Sequence, residues 1–463
     1  MIECKNLLGK TYAVLGLGKS GLATLAALKL SGARVLAWDD SMEARMQATR
    51  LGFSAEDLTK ADWKKIDLLI LSPGIPHTLP APHPAVAMAR KRLIEIIGDI
   101  ELLFRCLDPA ARPRLIAVTG TNGKSTTTAL IAHILGTAGR RVEAGGNLGI
   151  PALSFNTLPS NGFYVIEMSS FQCELTPSAD FDAVVWLNIT PDHLDRHGDM
   201  AGYVKAKKNL FKHANKKRIC VIGVDDEESR QVAAELVKSS NGQVIPISAE
   251  HVLEKGVSAV NSHLHADGKK LFSIEGMKTL PGTHNAQNAA AAFAVSRAMG
   301  IDVEAIQQAL FTYPGLAHRQ QLVRTMREVR FINDSKATNA DAAGKALACY
   351  ENIYWILGGK PKEGGLKGLE SFMPRIRHAF LIGKASDEFA AWLEGKAAYT
   401  KCGTLEHAVK EAAAMAASEG KYSVVLLSPA CASYDQFKNY EQRGEKFVQL
   451  VAALPEKPKE RAA

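Results

Sequence analysis

The feature that most restricts the fold of this chain is the regular alternation of short apolar segments with helical patterns along its whole length. The apolar segments have the length of strands, and each leads through a loop into a helical pattern. In chain order they include TYAVLG, RVLAW, DLLILS, LIAVTG, FYVIEM, AVVWLN, ICVIGV, VRFIND, IYWILGG, AFLIGK and SVVLLS. This alternation is typical of α/β units with parallel sheets, so we predict an α/β fold.

The 463 residues are too many for one ordinary core, and the apolar segments fall into three blocks. We predict an N-terminal Rossmann-like domain over residues 1–102, a central ATP-binding α/β domain of phosphate-loop type over residues 103–315, and a C-terminal Rossmann-like α/β domain over residues 316–463. A site assembled from three domains would require the domains to close on binding.

Charge and cysteine content restrict the class of partner and the compartment. The formal net charge of +8 is spread along the chain, without the aromatic-interleaved stripe of a nucleic-acid binder, so we expect small anionic ligands such as nucleotides. No segment reaches the roughly 20 apolar residues of a membrane span. The seven cysteines are scattered with no C-x-x-C pair, which predicts reduced thiols and a cytoplasmic location.

A complete G-x-G-x-x-G, from Gly16 to Gly21, stands between the strand TYAVLG and a helical pattern. Asp39 and Asp40 end the next strand about 20 residues later, as in dinucleotide-binding sites. Such a loop lets a diphosphate approach the amides of a helix N-terminus, which requires no nicotinamide. An NAD site, a UDP-sugar site and a bare structural turn all stay open. The loop alone favours NAD, but we find no second site for hydride transfer.

The segment VTGTNGKSTT, at residues 118–127, has the form of a phosphate loop that lacks its first glycine, because Val118 stands in that position. It follows an apolar strand and precedes a helical pattern, which is where such a loop must lie. Its amides can bind phosphates, Lys124 can neutralise the β- and γ-phosphates, and Ser125 can offer a hydroxyl to Mg²⁺. The pattern predicts an ATP site with a tighter loop entry.

Two residues at strand ends extend this pattern into a candidate metal site. Glu167 ends FYVIEM and His193 lies in the polar loop NITPDHLDRHG, both at the sheet edge where α/β folds bind ligands. Solvated side chains are the alternative, and Mg²⁺ more often takes oxygen ligands. Lys207 lies on the apolar stripe of the helix GYVKAKKNLF, so its amine is more readily neutral and could form a carbamate with CO₂. The helix pattern alone favours a lysine whose ammonium group stays in water.

Seven motifs together resemble the Mur ligases and their folylpolyglutamate synthetase relatives. In chain order they are VTGTNGKSTT, EMSSFQ, NITPDHLDRHG, YVKAKKNLF, GTHNAQNAAAA, GLAHR and NDSKATN. The family consists of three-domain, ATP-dependent amide ligases whose loop also reads TGTNGK without the leading glycine. The resemblance covers nearly the whole chain, and it implies that Lys207 is carbamylated.

The resemblance implies a role for each residue that matches a family motif. For ATP it implies Gly120, Thr121, Asn122, Gly123, Lys124, Ser125, Thr126, Asn285, Asn288, Arg319, Asp334 and Lys336. For two Mg²⁺ ions it implies Ser125, Glu167, His193 and Lys207 as its CO₂-derived carbamate. For a UDP-linked substrate it implies Gly18, Lys19, Ser20, Asp40, Asn147 and His193. For an incoming D-glutamate it implies Thr338, Lys362, Ser433 and Tyr440. The implied catalytic residues are Lys124, His193, Lys207 and His318, the last as the base for the substrate ammonium group.

Segments near the two ends of the chain, LGLGKSGLA and LLSPACASYDQFKNYEQRGEKF, resemble the branch of the family that adds D-glutamate to UDP-N-acetylmuramoyl-L-alanine in peptidoglycan synthesis. The implied reaction converts the alanyl carboxylate into an acyl phosphate, which the amine of D-glutamate then attacks. The alternatives are another Mur-type or folylpolyglutamate-type amide ligase and, less favoured, an NAD-dependent dehydrogenase. We expect a monomer that binds no nucleic acid and does not insert into a membrane.

Overall fold

The computed structural model describes residues 2, 4, 7–147, 149–213, 215, 217–239, 242–277, 279–361 and 364–455. The chain divides into two compact units, the first formed by Met1–Gly276 with Thr283–Thr312 and the second by Met277–Gly282 with Tyr313–Ala463. The first unit contains two sheets and the second contains one. The predicted α/β class is confirmed, whereas the three domain boundaries stay a prediction.

The N-terminal part of the first unit is a four-stranded sheet with the order β2-β1-β3-β4. All of its strand pairs are parallel, as short strands joined by helices require. Its elements are β1 (Thr11–Leu15), α1 (Lys19–Leu30), β2 (Arg34–Trp38), α2 (Met42–Arg50), β3 (Leu68–Leu71), α3 (Pro84–Lys91), β4 (Glu95–Ile97) and α4 (Asp99–Cys106).

The rest of the first unit is a nine-stranded sheet with the order β13-β12-β11-β10-β9-β8-β5-β7-β6. Its elements are β5 (Arg114–Thr119), α5 (Lys124–Thr137), β6 (Val142–Gly146), β7 (Phe163–Glu167), α6 (Ser170–Glu174), β8 (Ala183–Trp186), α7 (Leu194–His197), α8 (Met200–Lys208), β9 (Ile219–Gly223), α9 (Glu227–Ser239), β10 (Gln243–Ser248), β11 (Val257–Val260), β12 (His263–Ala266), β13 (Lys269–Ser273), α10 (Thr283–Ala298) and α11 (Val303–Thr312). Strands β7 and β8 are fully buried, β5 is buried except for Arg114, and the three run parallel, so their carboxyl ends meet at one edge.

The second unit contains a six-stranded sheet with the order β14-β15-β19-β16-β17-β18. Its pairs are parallel except for β14 with β15, which are antiparallel. Its elements are β14 (Gln321–Met326), β15 (Val329–Asn333), α12 (Ala340–Leu347), β16 (Ile353–Gly358), β17 (Ile376–Ile382), α13 (Ser386–Leu393), β18 (Tyr399–Gly403), α14 (Leu405–Ser418), β19 (Ser423–Leu427) and α15 (Tyr440–Ala452). Buried side chains form an apolar core on each face of this sheet.

One expectation from the cysteine pattern is wrong. Cys4 and Cys106 form a disulfide, with their Cα atoms 4.5 Å apart, and the other five cysteines are free. The bonded pair is 102 residues apart in the chain, and only the packing of the N-terminal segment beside the end of α4 brings the two thiols together. As for membranes, no helix in the described part of the chain combines the length and the apolar character needed to cross a bilayer.

Candidate active site

The glycine loop lies at the carboxyl end of β1 and leads directly into α1. Gly16 has a left-handed backbone (φ 94°), and a Cβ atom on it would lie 2.6 Å from Cβ of Ser72. A Cβ atom on Gly21 would lie 1.8 Å from the carbonyl oxygen of Gly16, so this turn requires glycine at both positions. The predicted UDP-substrate residues here are Gly18, Lys19 and Ser20, which form the N-terminus of α1. A helix N-terminus of this kind favours a diphosphate.

The two acidic residues after β2 have different partners. The carboxylate of Asp39 accepts from the backbone N–H of Leu17 in the glycine loop (2.7 Å), so this residue, and not Asp40, fixes the loop. Asp40, predicted to bind the UDP substrate, accepts from the indole N–H of Trp38 (3.0 Å) and lies 3.1 Å from Nε2 of His83. Nδ1 of His83 accepts from a backbone amide of α3, so the neutral ring donates to Asp40 from Nε2.

The phosphate loop joins the carboxyl end of β5 to α5, as predicted. The backbone amides of Thr121 and Asn122 donate to Asn188, which follows β8 (2.9 Å each). Nζ of Lys124 donates to the carbonyl oxygens of Gly120 (3.0 Å) and Thr121 (2.7 Å). The ammonium group therefore lies against the loop whose amides can bind phosphate oxygens.

Glu167, the last residue of β7, offers a carboxylate oxygen suited to a cation. Its side chain is buried, and Oε1 accepts from Nδ2 of Asn147 (2.8 Å). Oε2 is buried without a hydrogen-bond partner among the described residues. Ser125, the second candidate ligand, is buried in the first turn of α5. A site with one carboxylate and one hydroxyl fits Mg²⁺, which usually takes its other ligands from phosphates and water.

Lys207 has its amine, and not only its stem, in the protein interior. The residue is 1% exposed, and Nζ donates to the carbonyl oxygen of Gly120 (2.9 Å) and to Oγ1 of Thr119 (3.3 Å). Burial and, to a smaller extent, the nearby charge of Lys124 lower the pKa of this amine to about 7, against smaller opposing effects of Cys173, Asp192 and Glu167. The sheet edge thus brings Lys124, Glu167 and Lys207 together, as the motif positions imply.

His193 begins α7 with a left-handed backbone (φ 54°). Its Nε2 atom lies 3.4 Å from the carboxylate of Asp192, and its ring packs 4.9 Å from the ring of Phe171. Partial burial lowers the pKa of His193, and Asp192 opposes this shift. A neutral imidazole with an available ring nitrogen is the form that can bind a metal ion or donate to a phosphate.

The asparagines predicted to lie on the adenine side of ATP face the phosphate-loop helix. Oδ1 of Asn288 accepts from Oγ1 of Thr127 on α5 (3.1 Å), and its Nδ2 donates to Oδ1 of Asn285 (3.0 Å). A Cβ atom on Gly123 would lie 2.2 Å from Oδ1 of Asn288. Thr126, the remaining ATP residue of the loop, is half-buried at the start of α5. Helix α10 therefore packs directly on the phosphate loop.

In the second unit, Asp334 follows β15 and has its carboxylate in a buried hydrogen-bonded position. It accepts from Oγ of Ser428 (2.8 Å) and from the backbone N–H of Gln320 (3.2 Å). Burial raises the pKa of Asp334 to about 7, although these hydrogen bonds and the charge of Arg319 oppose the shift. Asp334 and Arg319, both predicted to bind ATP, are thus electrostatically coupled within this unit.

The remaining second-unit residues predicted to bind ATP or D-glutamate lie on the loops after β15 and β19 and at the start of α15. The ammonium group of Lys336 lies 4.0 Å from the ring centre of Tyr440, the first residue of α15. Thr338 is half-buried and Ser433 is buried. Lys362, the other D-glutamate candidate, lies outside the described residues.

The hydrogen bonds of His318 determine which of its ring nitrogens carries a proton. Nδ2 of Asn333 lies 3.0 Å from Nδ1 of His318, and also donates to the carbonyl oxygen of Gly444 (3.1 Å). Oδ1 of Asn333 accepts from the backbone N–H of Ser335 (3.2 Å), which fixes the orientation of the amide. Nδ1 of His318 is therefore an acceptor, and the neutral ring carries its proton on Nε2. The predicted role of His318 as the base for the substrate ammonium group stays a prediction.

One residue that organises the second unit was missed from the sequence. Arg443 is 1% exposed on α15, and its guanidinium donates to the carbonyl oxygens of Ser335 (2.8 Å) and Cys431 (3.2 Å) and to Oγ of Ser335 (3.0 Å). It joins the loop after β15 to the loop after β19. The only sequence signal was its place in the segment YEQRGEKF, which does not reveal that the side chain is buried.

Comparison with known proteins adds to this geometry. Residues 118–296 match the family model described as "Mur ligase middle domain". The protein named UDP-N-acetylmuramoylalanine–D-glutamate ligase from Paramagnetospirillum magneticum is 50% identical over 455 residues, 98% of this chain and 99% of the relative. The protein of the same name from Phenylobacterium zucineum is 47% identical over 461 residues, 98% of each chain. That from Caulobacter sp. (strain K31) is 46% identical over 469 residues and covers both chains completely.

Solved structures with the same fold are more distant in sequence. The UDP-N-acetylmuramate–alanine ligase from Thermotoga maritima superposes with a TM-score of 0.59 at 19% identity, covering 96% of this chain and 99% of that one. The pseudomurein peptide ligase type C from Methanothermus fervidus gives a TM-score of 0.54 at 18% identity, covering 96% of this chain and 100% of that one. These similarities establish the fold.

Proposed function

The chain belongs to the UDP-N-acetylmuramoylalanine–D-glutamate ligases of the Mur ligase family, and we propose that it joins D-glutamate to UDP-N-acetylmuramoyl-L-alanine in an ATP-dependent reaction. The observation that carries this proposal is the 46–50% identity to relatives of that name over 98% or more of the chain. The phosphate loop of the variant form TGTNGKS supports the same reaction class.

The proposed reaction has two steps. An oxygen of the alanyl carboxylate attacks the γ-phosphorus of ATP, the bond from phosphorus to the β,γ-bridging oxygen breaks, and ADP leaves. The amine nitrogen of D-glutamate then attacks the acyl carbon, the amide bond forms, and inorganic phosphate leaves with the former carboxylate oxygen. The amine loses one proton. The contribution of the protein is mainly to position these groups and to neutralise charge.

Lys124 is the cation proposed to act on the transferred phosphoryl group. Its ammonium group already lies against the loop carbonyls of Gly120 and Thr121, and it would exchange these for phosphate oxygens when ATP binds. Mg²⁺, when bound, neutralises charge on the phosphates and the reacting carboxylate. We propose that Ser125, Glu167 and His193 hold it, since Glu167 has a buried carboxylate oxygen without a protein partner among the described residues.

For Lys207 we propose a carbamate, formed when the neutral amine attacks CO₂ and loses a proton. The pKa of about 7 supports this, because close to half of the amine is neutral at pH 7. The carbamate would turn a buried cation into an anionic oxygen ligand beside Lys124. For His318 we propose the role of base for the ammonium group of D-glutamate. Thr338, Lys362, Ser433 and Tyr440 are proposed to bind D-glutamate. The active form is proposed to be a cytoplasmic monomer.

Phosphate release from the purified protein tests this function. With ATP, Mg²⁺ and UDP-N-acetylmuramoyl-L-alanine, phosphate should appear when D-glutamate is added, and a panel of other amino acids should give much less. Turnover with L-glutamate and a folate would instead identify a folylpolyglutamate-type ligase. The dehydrogenase alternative predicts micromolar binding of NAD(H), and the proposed function predicts no measurable binding.

A further inference from the structure

The loop between β3 and α3 (residues 72–83) contacts both the glycine loop and α7. At its start, Oγ of Ser72 donates to the carbonyl oxygen of Gly16 (2.9 Å). The guanidinium of Arg196, on α7, donates to the carbonyl oxygens of Gly74 (3.0 Å) and Ile75 (3.3 Å). The β3–α3 loop thus spans from the proposed UDP-substrate site to the helix that begins with His193.

A cluster of two histidines and one carboxylate provides a second link between the same segments. Nε2 of His77, in the β3–α3 loop, lies 3.4 Å from Oε2 of Glu174 at the end of α6. Nδ1 of His197, on α7, lies 3.2 Å from Oε1 of Glu174, and its Nε2 atom lies 2.8 Å from Oγ of Ser170. Because a carboxylate only accepts, Nδ1 of His197 donates to Glu174, and His77 lies within ion-pair distance of the same carboxylate.

Stacked side chains carry these contacts to His193. The ring of Phe171, on α6, packs against the guanidinium of Arg196 (4.4 Å) and against the rings of His193 (4.9 Å) and His197 (5.4 Å). His197 has no exposed side-chain surface, and Glu174 keeps only 22% of its own. The arrangement leaves α7 few alternative positions relative to the β3–α3 loop.

We infer that Glu174 is a positioning residue for the UDP-linked substrate. Because it contacts His77 and His197 at once, it fixes the position of α7 and His193 relative to the β3–α3 loop and the glycine loop. The inference rests on the proposed function, which places one substrate molecule on both the glycine loop and His193. Glu174 is not itself among the residues assigned to substrate, metal or ATP.

Such a role predicts a larger effect on the UDP-linked substrate than on ATP. When the two parts of a binding site are displaced from each other, the bound substrate loses contacts and its KM rises. Because His193 is also proposed to hold Mg²⁺ and to act in catalysis, kcat should fall as well. ATP is proposed to bind the phosphate loop and α10, whereas Glu174 hydrogen-bonds to α7, so KM for ATP should rise by a smaller factor. A purely structural role would reduce the fraction of active protein and lower kcat at constant KM.

Glu174→Ala tests the inference in the full-length protein. We expect KM for UDP-N-acetylmuramoyl-L-alanine to rise about tenfold and KM for ATP to rise by a smaller factor. Glu174→Gln, which can still bond to both rings, should recover part of the loss. The matched control is Glu235→Ala, because Glu235 pairs with Lys208 at the surface of the same unit. An unchanged KM for the UDP substrate in Glu174→Ala would overturn the inference.

A double-mutant cycle separates the cluster from general destabilisation. His77→Ala alone should also raise KM for the UDP substrate. The double variant His77→Ala/Glu174→Ala should have the same KM as Glu174→Ala, since both substitutions remove the same His77–Glu174 contact. Additive effects would contradict the cluster. If Glu174→Ala does not fold, His77→Ala decides alone, because His77 lies on a surface loop. Turnover by the wild type tests the proposed function separately: an inactive wild type refutes that function, whereas an active wild type with unaltered variants refutes only the positioning role.

Discussion

The buried amine of Lys207 is better suited to the neutral form than to the ammonium form. Among the described residues, the hydrogen-bond partners of its amine are two neutral oxygens, those of Thr119 and Gly120, and the amine lies near the positive charge of Lys124. Both burial and Lys124 favour the neutral amine. The neutral amine is the form that reacts with CO₂, and the resulting carbamate would relieve the repulsion with Lys124.

We therefore predict that Lys207→Ala abolishes phosphate release and that added short-chain carboxylic acids restore part of it, because the acid can occupy the space of the carbamate oxygens. The wild type should depend on bicarbonate most strongly below pH 7, where a growing fraction of the amine is protonated. Lys208→Ala is the control, since Lys208 is partly exposed and pairs with Glu235. Wild-type activity in Lys207→Ala would rule out the carbamate.

Asp334 gives a pH dependence of stability with a defined sign. Its folded-state pKa of about 7 lies above the value of about 3.9 in an unfolded chain. Between these values the folded protein binds the extra proton, so this carboxyl makes stability fall as pH rises from about 4 to 7. We predict that Asp334→Asn removes this contribution. The melting temperature of the variant relative to wild type should increase between pH 5 and pH 8, and an equal or falling difference would contradict the raised pKa.

At the scale of elements, Arg443 on α15 contacts both the loop after β15 and the loop after β19. The guanidinium of Arg443 is buried and donates to buried carbonyl oxygens. Burial lowers its pKa to about 10, and the group stays cationic at neutral pH. Its removal would leave the carbonyl oxygens of Ser335 and Cys431 buried without these donors. Unsatisfied buried polar groups are among the more costly defects in a core.

We predict that Arg443→Met lowers the free energy of unfolding of the second unit by about 2–4 kcal/mol, measured from the transition of that unit in urea denaturation. The control is Arg377→Met, since Arg377 is exposed and donates to the side chain of Asn352 in the same unit, and the change there should stay within about 0.5 kcal/mol. Arg443→Lys should recover little, because an ammonium group cannot reproduce the planar fork that reaches both loops. Equal stability of Arg443→Met and Arg377→Met would refute this role.

Elements whose pattern is local were predictable, and contacts between distant segments were not. The buried strands β5, β7 and β8 read as continuous apolar runs, and their carboxyl ends were correctly expected to carry Glu167 and the phosphate loop. The helix pattern placed the stem of Lys207 on the buried side but could not place its amine, because that depends on the packing of α8 against β5. The pairing of Asp39 with Leu17, and the disulfide between Cys4 and Cys106, likewise require the folded chain.

At the scale of the whole molecule, each of the two compact units has its own apolar cores. Among the described residues, one core of the first unit contains side chains of both its sheets and another contains side chains of the N-terminal sheet, and the second unit buries a core on each face of its sheet. Units with separate cores can unfold as separate cooperative transitions, so one free energy of unfolding does not describe the chain.

We predict two transitions in scanning calorimetry of the full-length protein. The first unit holds the glycine loop, Asn147 and His193. UDP-N-acetylmuramoyl-L-alanine at 100 times its Kd should therefore stabilise this unit by about 2.7 kcal/mol and raise the temperature of its transition. D-glutamate alone is the control, because its proposed residues Thr338, Ser433 and Tyr440 belong to the second unit. Arg443→Met should lower the other transition and thereby identify it. If one transition is seen and both the UDP substrate and Arg443→Met shift it, the two units unfold as one. The assignment of each ligand to its own unit would then have to come from binding measurements on the site variants.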